Sequence, residues 1–297
     1  MKKQKKKINA KLTMVKGVFT PLVEVDYWDK DDHKHSGLIL LDTGSTANYL
    51  FVNIGGNDVL SGRTAGTKVI AHNSLKAEFN IIRVKFPFAF GGKQFRESFV
   101  YSEAGTSIET RAKIPIIGIL GNIFMEKYDL AIDFSNGAVY SSQREPGAIC
   151  AGDCDLFFPM GCGLYEYDVP IVNIIYKRTR ASLVARTGSL TNEVSQKCIK
   201  RCHLECEFSE KADARHEMSG DSEDLWANVK FNLHTLAGTR PLETVPYEDN
   251  FMVTDYPFRA RTQKSPALDG IIGALFMAKY GWVLDFGAGI IYHKKSN

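Results

Sequence analysis

Three blocks of this chain recur in the same order further along it, and that repeat limits the fold more than any single motif does. Leu41-Asp42-Thr43-Gly44-Ser45 returns as Ala185-Arg186-Thr187-Gly188-Ser189, 144 residues on. Val84-Lys85-Phe86 returns as Val229-Lys230-Phe231, 145 residues on. The stretch from Ile119 to Tyr128, followed by Asp133-Phe134 and Tyr140, returns as Ile271 to Tyr280, Asp285-Phe286 and Tyr292, 152 residues on. One short insertion accounts for the drift. A chain of 297 residues is long enough for two modest cores, so two similar β-rich halves are expected.

Each copy reads as mostly β. Pro21 to Tyr27 alternates apolar and polar residues, as do Val84, Phe86 and Phe88 with Lys85 and Pro87 between them. Ser135-Asn136-Gly137 separates two apolar runs as a hairpin turn does. Gly121 to Tyr128 reads as a short apolar helix opened by Asn122. The second copy repeats this with strands over 168–176 and 229–233, a helix over 274–280, and a strand segment over 282–292. Polar stretches at 63–77 and 207–222 read as hairpins or loops.

In the first copy the apolar run Leu38-Ile39-Leu40-Leu41 delivers one carboxylate, Asp42, to a Thr-Gly-Ser turn. An acid at the end of a buried strand is costly unless it is hydrogen-bonded or working. The second copy has the same turn with Arg186 in place of the acid. Asp133 and Asp285 precede turns and read as turn-forming acids. His72, His203 and His216 stand apart from any nucleophile motif.

The formal net charge is +3, but the first seven residues carry five lysines, so the remainder is at −2. No nucleic-acid or membrane role is expected of such a body, and the basic end reads as a solvated tail over 1–16. The lysines precede no secretory-type apolar segment, and no run has membrane-spanning length, so a cytoplasmic location is expected. All six cysteines lie between 150 and 206. Cys198, Cys202 and Cys206 are four apart, on one face if that segment is helical, with His203 beside them. A metal site, disulfides and buried thiols all remain open for them; the zinc match is partial, and no metal or cofactor is assigned.

The turn Leu41-Asp42-Thr43-Gly44-Ser45 followed by Ile119-Leu120-Gly121 resembles the retropepsin and pepsin group of aspartic proteases. Arg186-Thr187-Gly188-Ser189 and Ile271-Ile272-Gly273 fit the same pattern except at Arg186. The resemblance implies a mostly β acid-protease fold of two lobes about a pseudo-twofold axis, each with one short helix. It divides the chain into a first lobe over 17–145, a linker over 146–164 and a second lobe over 165–297. It implies that the two turns meet at the axis with Thr43 and Thr187 interlocked, and that Ser45 bonds the carboxylate. It makes Asp42, Thr43, Gly44 and Ser45 the catalytic turn, Arg186, Thr187 and Gly188 a degenerate second site, and His72, Asn73 and Ser74 a substrate-covering flap.

Proteolysis of that kind needs two carboxylates sharing one proton, one acting as acid and the other as base. Arginine stays protonated throughout the physiological range, so Arg186 cannot be either. Two readings follow. One is an endopeptidase of peptide or protein substrates, impaired as a monomer and active only if two chains pair their Asp42 residues in a homodimer. The other is a monomeric internal pseudo-dimer that binds an extended peptide or protein partner without cutting it, Arg186 being free to pair with a carboxylate of that partner.

Overall fold

The computed structural model describes residues 8–15, 18–29, 31–51, 68–72, 78–102, 116–142, 154–159, 161–163, 167–176, 179–209, 225–234, 244–254, 258–259 and 267–294. They form two eight-stranded sheets, a six-stranded sheet and a two-stranded ribbon. The first eight-stranded sheet runs, edge to edge, Thr13–Val15, Val18–Trp28, Lys34–Asp42, Ile116–Gly121, Tyr49–Leu50, Lys93–Ser102, Glu78–Phe90, Lys68–His72. The second runs Gly161–Gly163, Tyr167–Tyr176, Thr179–Arg186, Gly270–Gly273, Asn192–Ser195, Thr244–Thr254, Leu225–His234, Glu205–Ser209. Strand for strand the order of connection is the same, so the two lobes share one topology.

Burial explains why the strand Lys34–Asp42 sits mid-sheet. It lies between an antiparallel neighbour, Val18–Trp28, and a parallel one, Ile116–Gly121. Covered on both faces, it can be apolar at every position from Leu38 to Leu41. Leu38 and Leu40 pack with Leu22, Phe51 and Ile116, while Ile39 and Leu41 face the main core. The second lobe divides its residues in the same way. Val184 packs with Val169, Ile171, Leu268 and Ile271, and Leu183 and Ala185 face the main core. Phe86, Phe88, Phe99 and Phe124 are essentially shut off from water, and each contributes about 1.5–3 kcal/mol by burial.

The lobes are joined by the six-stranded sheet, in the order Asn9–Lys11, Ala138–Ser141, Leu130–Asp133, Trp282–Asp285, Ile290–Lys294, Cys154–Pro159. Its central pair is antiparallel and symmetric, with Ile132 opposite Leu284, Ala131 opposite Asp285 and Asp133 opposite Val283. The expected Asn-Gly hairpin is there, with Gly137 at φ 57°. Asp133 accepts hydrogen bonds from Ser135 Oγ and from Asn136, and Asp285 from the Ala288 N–H, the work of turn-forming acids.

Four expectations change. Residues 9–15 are not a tail: Asn9–Lys11 pairs with Ala138–Ser141 and Thr13–Val15 with Val18–Trp28. Nor is 146–164 simply a linker, because Cys154–Pro159 pairs with Ile290–Lys294 as an edge strand and Gly161–Gly163 pairs with Tyr167–Tyr176. The helix Asn122–Lys127 is capped by Gly121 rather than opened by Asn122, whose side chain donates to Glu126 at 2.9 Å from inside the helix. The second lobe has two helices, Gln196–Cys202 and Ala274–Lys279. The extra one forms because Ser195 Oγ accepts the Cys198 N–H and because Cys198, Ile199 and Cys202 bury one face. Its counterpart in the first lobe, 52–58, lies outside the described residues.

Candidate active site

The two Thr-Gly turns meet across the pseudo-twofold axis. Thr43 and Thr187 are completely buried, and each uses both capacities of its hydroxyl. Thr43 Oγ1 donates to the Ala185 carbonyl at 2.5 Å and accepts the Thr187 N–H at 3.0 Å. Thr187 Oγ1 donates to the Leu41 carbonyl at 2.5 Å and accepts the Thr43 N–H at 3.0 Å. These four bonds satisfy polar groups that burial would otherwise leave unpaired.

Behind each turn stands an asparagine that sequence reading passed over. Asn48 Oδ1 accepts the Gly121 N–H at 2.9 Å while Nδ2 donates to the Ser98 carbonyl at 3.2 Å. Asn192 does the same for the Gly273 N–H at 2.9 Å and the Asn250 carbonyl at 3.2 Å. Both are buried. Their signal was present in the sequence: they stand 144 residues apart, the spacing of the turns themselves.

The strands place Asp42 beside Gly121 and Arg186 beside Gly273, in equivalent register. Asp42 is shut in, with a side chain 5% exposed, and Oδ1 accepts the Gly44 N–H at 2.8 Å. Arg186 Nη2 lies 3.5 Å from Asp42 Oδ2, and the arginine side chain is 43% exposed. Each side chain crosses the axis and lies over the glycine of the opposite turn. A Cβ on Gly44 would stand 2.6 Å from Arg186 Cδ, and one on Gly188 would stand 2.2 Å from Asp42 Cγ. As the two side chains lie, a Cβ fits at neither position. Burial, and then the Asp42 charge, push the Tyr49 hydroxyl above its usual range.

Ser45 Oγ donates to the Ala47 carbonyl at 2.9 Å, and Ser189 Oγ to the Thr191 carbonyl at 3.0 Å. The serine thus stiffens its own turn instead of bonding the carboxylate. His72 ends the strand Lys68–His72, which pairs with Glu78–Phe90 as a hairpin arm, while Asn73 and Ser74 lie outside the described residues.

Among the described residues, Cys198, Cys202 and Cys206 form no common centre. Cys198 and Cys202 are buried on the helix with sulfurs 3.9 Å apart, Cys206 is on the next strand, and His203 caps the helix at φ 49°. No disulfide joins these three among the described residues. Burial, then the nearby Asp269, push the Cys198 thiol well up, as for a core thiol. The group of metal-capable side chains among the described residues is elsewhere, at Asp29, Asp31 and His33. No described helix is long and apolar enough to cross a membrane.

What the axis holds, then, is one fixed carboxylate and one guanidinium where two carboxylates would be needed to share a proton. No family model and no curated protein sequence matches the chain. Among solved structures it is similar to the aspartic proteinase from Irpex lacteus, over 98% of this chain and 98% of that one, with TM-score 0.55 and 13% identity. At that identity the likeness is one of fold, and the chain has the two-lobed β architecture of an aspartic proteinase.

Proposed function

We propose that this chain is a non-catalytic relative of the aspartic endopeptidases that holds an extended peptide or a protein partner between its lobes as a monomer. The observation that carries the reading is the Arg186 guanidinium, 3.5 Å from Asp42 at the position of the missing acid. A hydrolytic dyad must hold one proton between two carboxylates and release it to the substrate. Asp42 has a permanent cation for a partner instead, and a cation has no proton to give at working pH. Their attraction at this distance is worth between ~1 kcal/mol in water and ~4 kcal/mol at an effective dielectric near 20. The half-open arginine puts the true value toward the lower end.

Peptide hydrolysis by a homodimer, with one Asp42 from each chain, is the competing reading. It requires separating Thr43 from Thr187, at the cost of four buried hydrogen bonds within each chain. A tether also keeps the second lobe at an effective concentration of ~mM, well above that of a second chain. Incubating the purified monomer with a mixed-sequence peptide pool across acidic and neutral pH tests the proposal. No cleavage above an Asp42→Asn control is expected, together with no tight binding of a pepstatin-like transition-state mimic. Robust turnover that Asp42→Asn abolishes would overturn it.

A further inference from the structure

We infer that Arg186 is a carboxylate receptor, and that the peptides this chain retains present a free carboxylate to the lobe axis. This rests on the peptide-binding reading and names its ligand chemistry. The Asp42–Arg186 pair is lopsided. The Asp42 side chain is 5% exposed and already holds the Gly44 N–H, whereas the Arg186 side chain is 43% exposed and its ion-pair contact among the described residues is at 3.5 Å. A charge-assisted bond of full strength is nearer 2.8 Å, and a guanidinium has five N–H donors to offer. Most of that capacity is not used by Asp42.

The stem fixes how a ligand can approach. Arg186 Cγ and Cδ lie against Gly44, and Nε is shut from solvent without a hydrogen-bond partner. The side-on fork that uses Nε is therefore closed, and the end-on fork of the two Nη groups is the one left. That fork matches the planar pair of oxygens of a carboxylate. A phosphate monoester fits less well, since it has three strong acceptor oxygens and the end-on fork serves two. The carboxylate can be a chain terminus or an Asp or Glu side chain, and the test separates these.

Immobilised full-length protein is challenged with three pools of degenerate decapeptides, and retained peptides are counted by mass spectrometry. The first pool has a free C-terminal acid and no Asp or Glu. The second is the same pool amidated. The third is amidated with one central Glu. Retention of the first or the third should exceed the second by roughly 10-fold or more, the worth of a hydrogen bond to a charged group. Which of the two is enriched identifies the source. Arg186→Gln should erase the enrichment, bringing the acid and Glu pools down to the level of the amidated pool held by the same variant, and Arg186→Lys should keep only part of it. A single cooperative thermal transition for both variants guards against misfolding. Equal retention of all three pools would overturn the carboxylate receptor and leave the peptide-binding reading standing. No retention of any pool would overturn both.

Discussion

The two lobes differ at the head of their turns and agree almost everywhere behind them. Thr43 and Thr187 make the same two bonds, Asn48 and Asn192 brace the same glycine N–H, and Ser45 and Ser189 close the same local bond. One lobe then presents an enclosed acid and the other a half-open cation. The lesson is that the fold is held by the threonine, the glycine and the asparagine. The acid is dispensable to the architecture, since the turn that carries Arg186 keeps the same bonds as the turn that carries Asp42.

The largest expected effect comes from reversing that one difference. Arg186→Asp would place a second carboxylate opposite Asp42 in a turn already shaped for it. Peptide cleavage should then rise by about 10²–10⁴-fold over the parent protein, the usual contribution of positioned acid–base groups. The profile should be bell-shaped and acidic, because the dyad titrates as a unit and works with one proton on it. Adding Asp42→Asn to Arg186→Asp should return cleavage to background. If Arg186→Asp folds, pairs its two acids and still cuts nothing, the proposal that Arg186 is what keeps this cleft from cutting is wrong.

Next in size is the interlock, where the lobes should behave alike. Thr43→Val strands the Thr187 N–H and the Ala185 carbonyl, and Thr187→Val strands the Thr43 N–H and the Leu41 carbonyl. Each should cost roughly 2–5 kcal/mol in urea denaturation, the penalty for two buried unsatisfied groups. A clear inequality between the two would show that one turn is held by something other than the symmetric grip.

How much of this was legible depended on whether the information was local or spatial. The repeat and the strands around Leu38 to Leu41 followed from periodicity and spacing, and the meeting of Thr43 with Thr187 was implied by the resemblance those turns carry. The sheet role of Cys154–Pro159 did not. That segment lacks a clean period-2 pattern, and it becomes a strand by pairing with Ile290–Lys294, more than a hundred residues away. Asn9–Lys11 was hidden by the lysines around it for the same reason, and its partner is Ala138–Ser141. The role the resemblance implied for Ser45 does not hold, because its hydroxyl donates to the Ala47 carbonyl at 2.9 Å, closing its own turn.

The glycines should separate the lobes again. In Gly188→Ala the new methyl would meet the enclosed Asp42 carboxylate, which has no room to retreat and would lose its bond to the Gly44 N–H. Overpacking of that kind costs about 1–3 kcal/mol. In Gly44→Ala the methyl meets the stem of a long, half-exposed side chain that can swing toward solvent, so the cost should stay below ~1 kcal/mol. Thermal unfolding of the pair checks the order. Equal losses would mean that Arg186 is held as firmly as Asp42, and would also weaken the case for its being available to a ligand.

The smallest difference lies at the helix ends that follow the glycine strands, where both lobes carry a Lys-Tyr pair. In the first lobe Lys127 Nζ reaches both oxygens of Glu97, at 2.7 and 2.8 Å, and Tyr128 donates to the same carboxylate. In the second, Lys279 stands 3.4 Å from Asp249, and Tyr280 donates to the Glu248 carbonyl at 2.8 Å. The first arrangement concentrates three hydrogen bonds from two donor groups on one carboxylate that is 12% exposed; the second spreads its bonds over a side chain and a backbone oxygen. Glu97→Gln should therefore cost about 1–2 kcal/mol, since it weakens bonds to a largely enclosed charge. Asp249→Asn should cost only a few tenths, as the loss of one long, water-accessible ion pair does. Chemical denaturation of both variants in low and high salt sharpens the contrast. Salt should narrow the Asp249 effect and leave most of the Glu97 effect in place, because screening weakens a lone 3.4 Å charge pair more than a carboxylate held by three direct hydrogen bonds, one of them from an uncharged tyrosine.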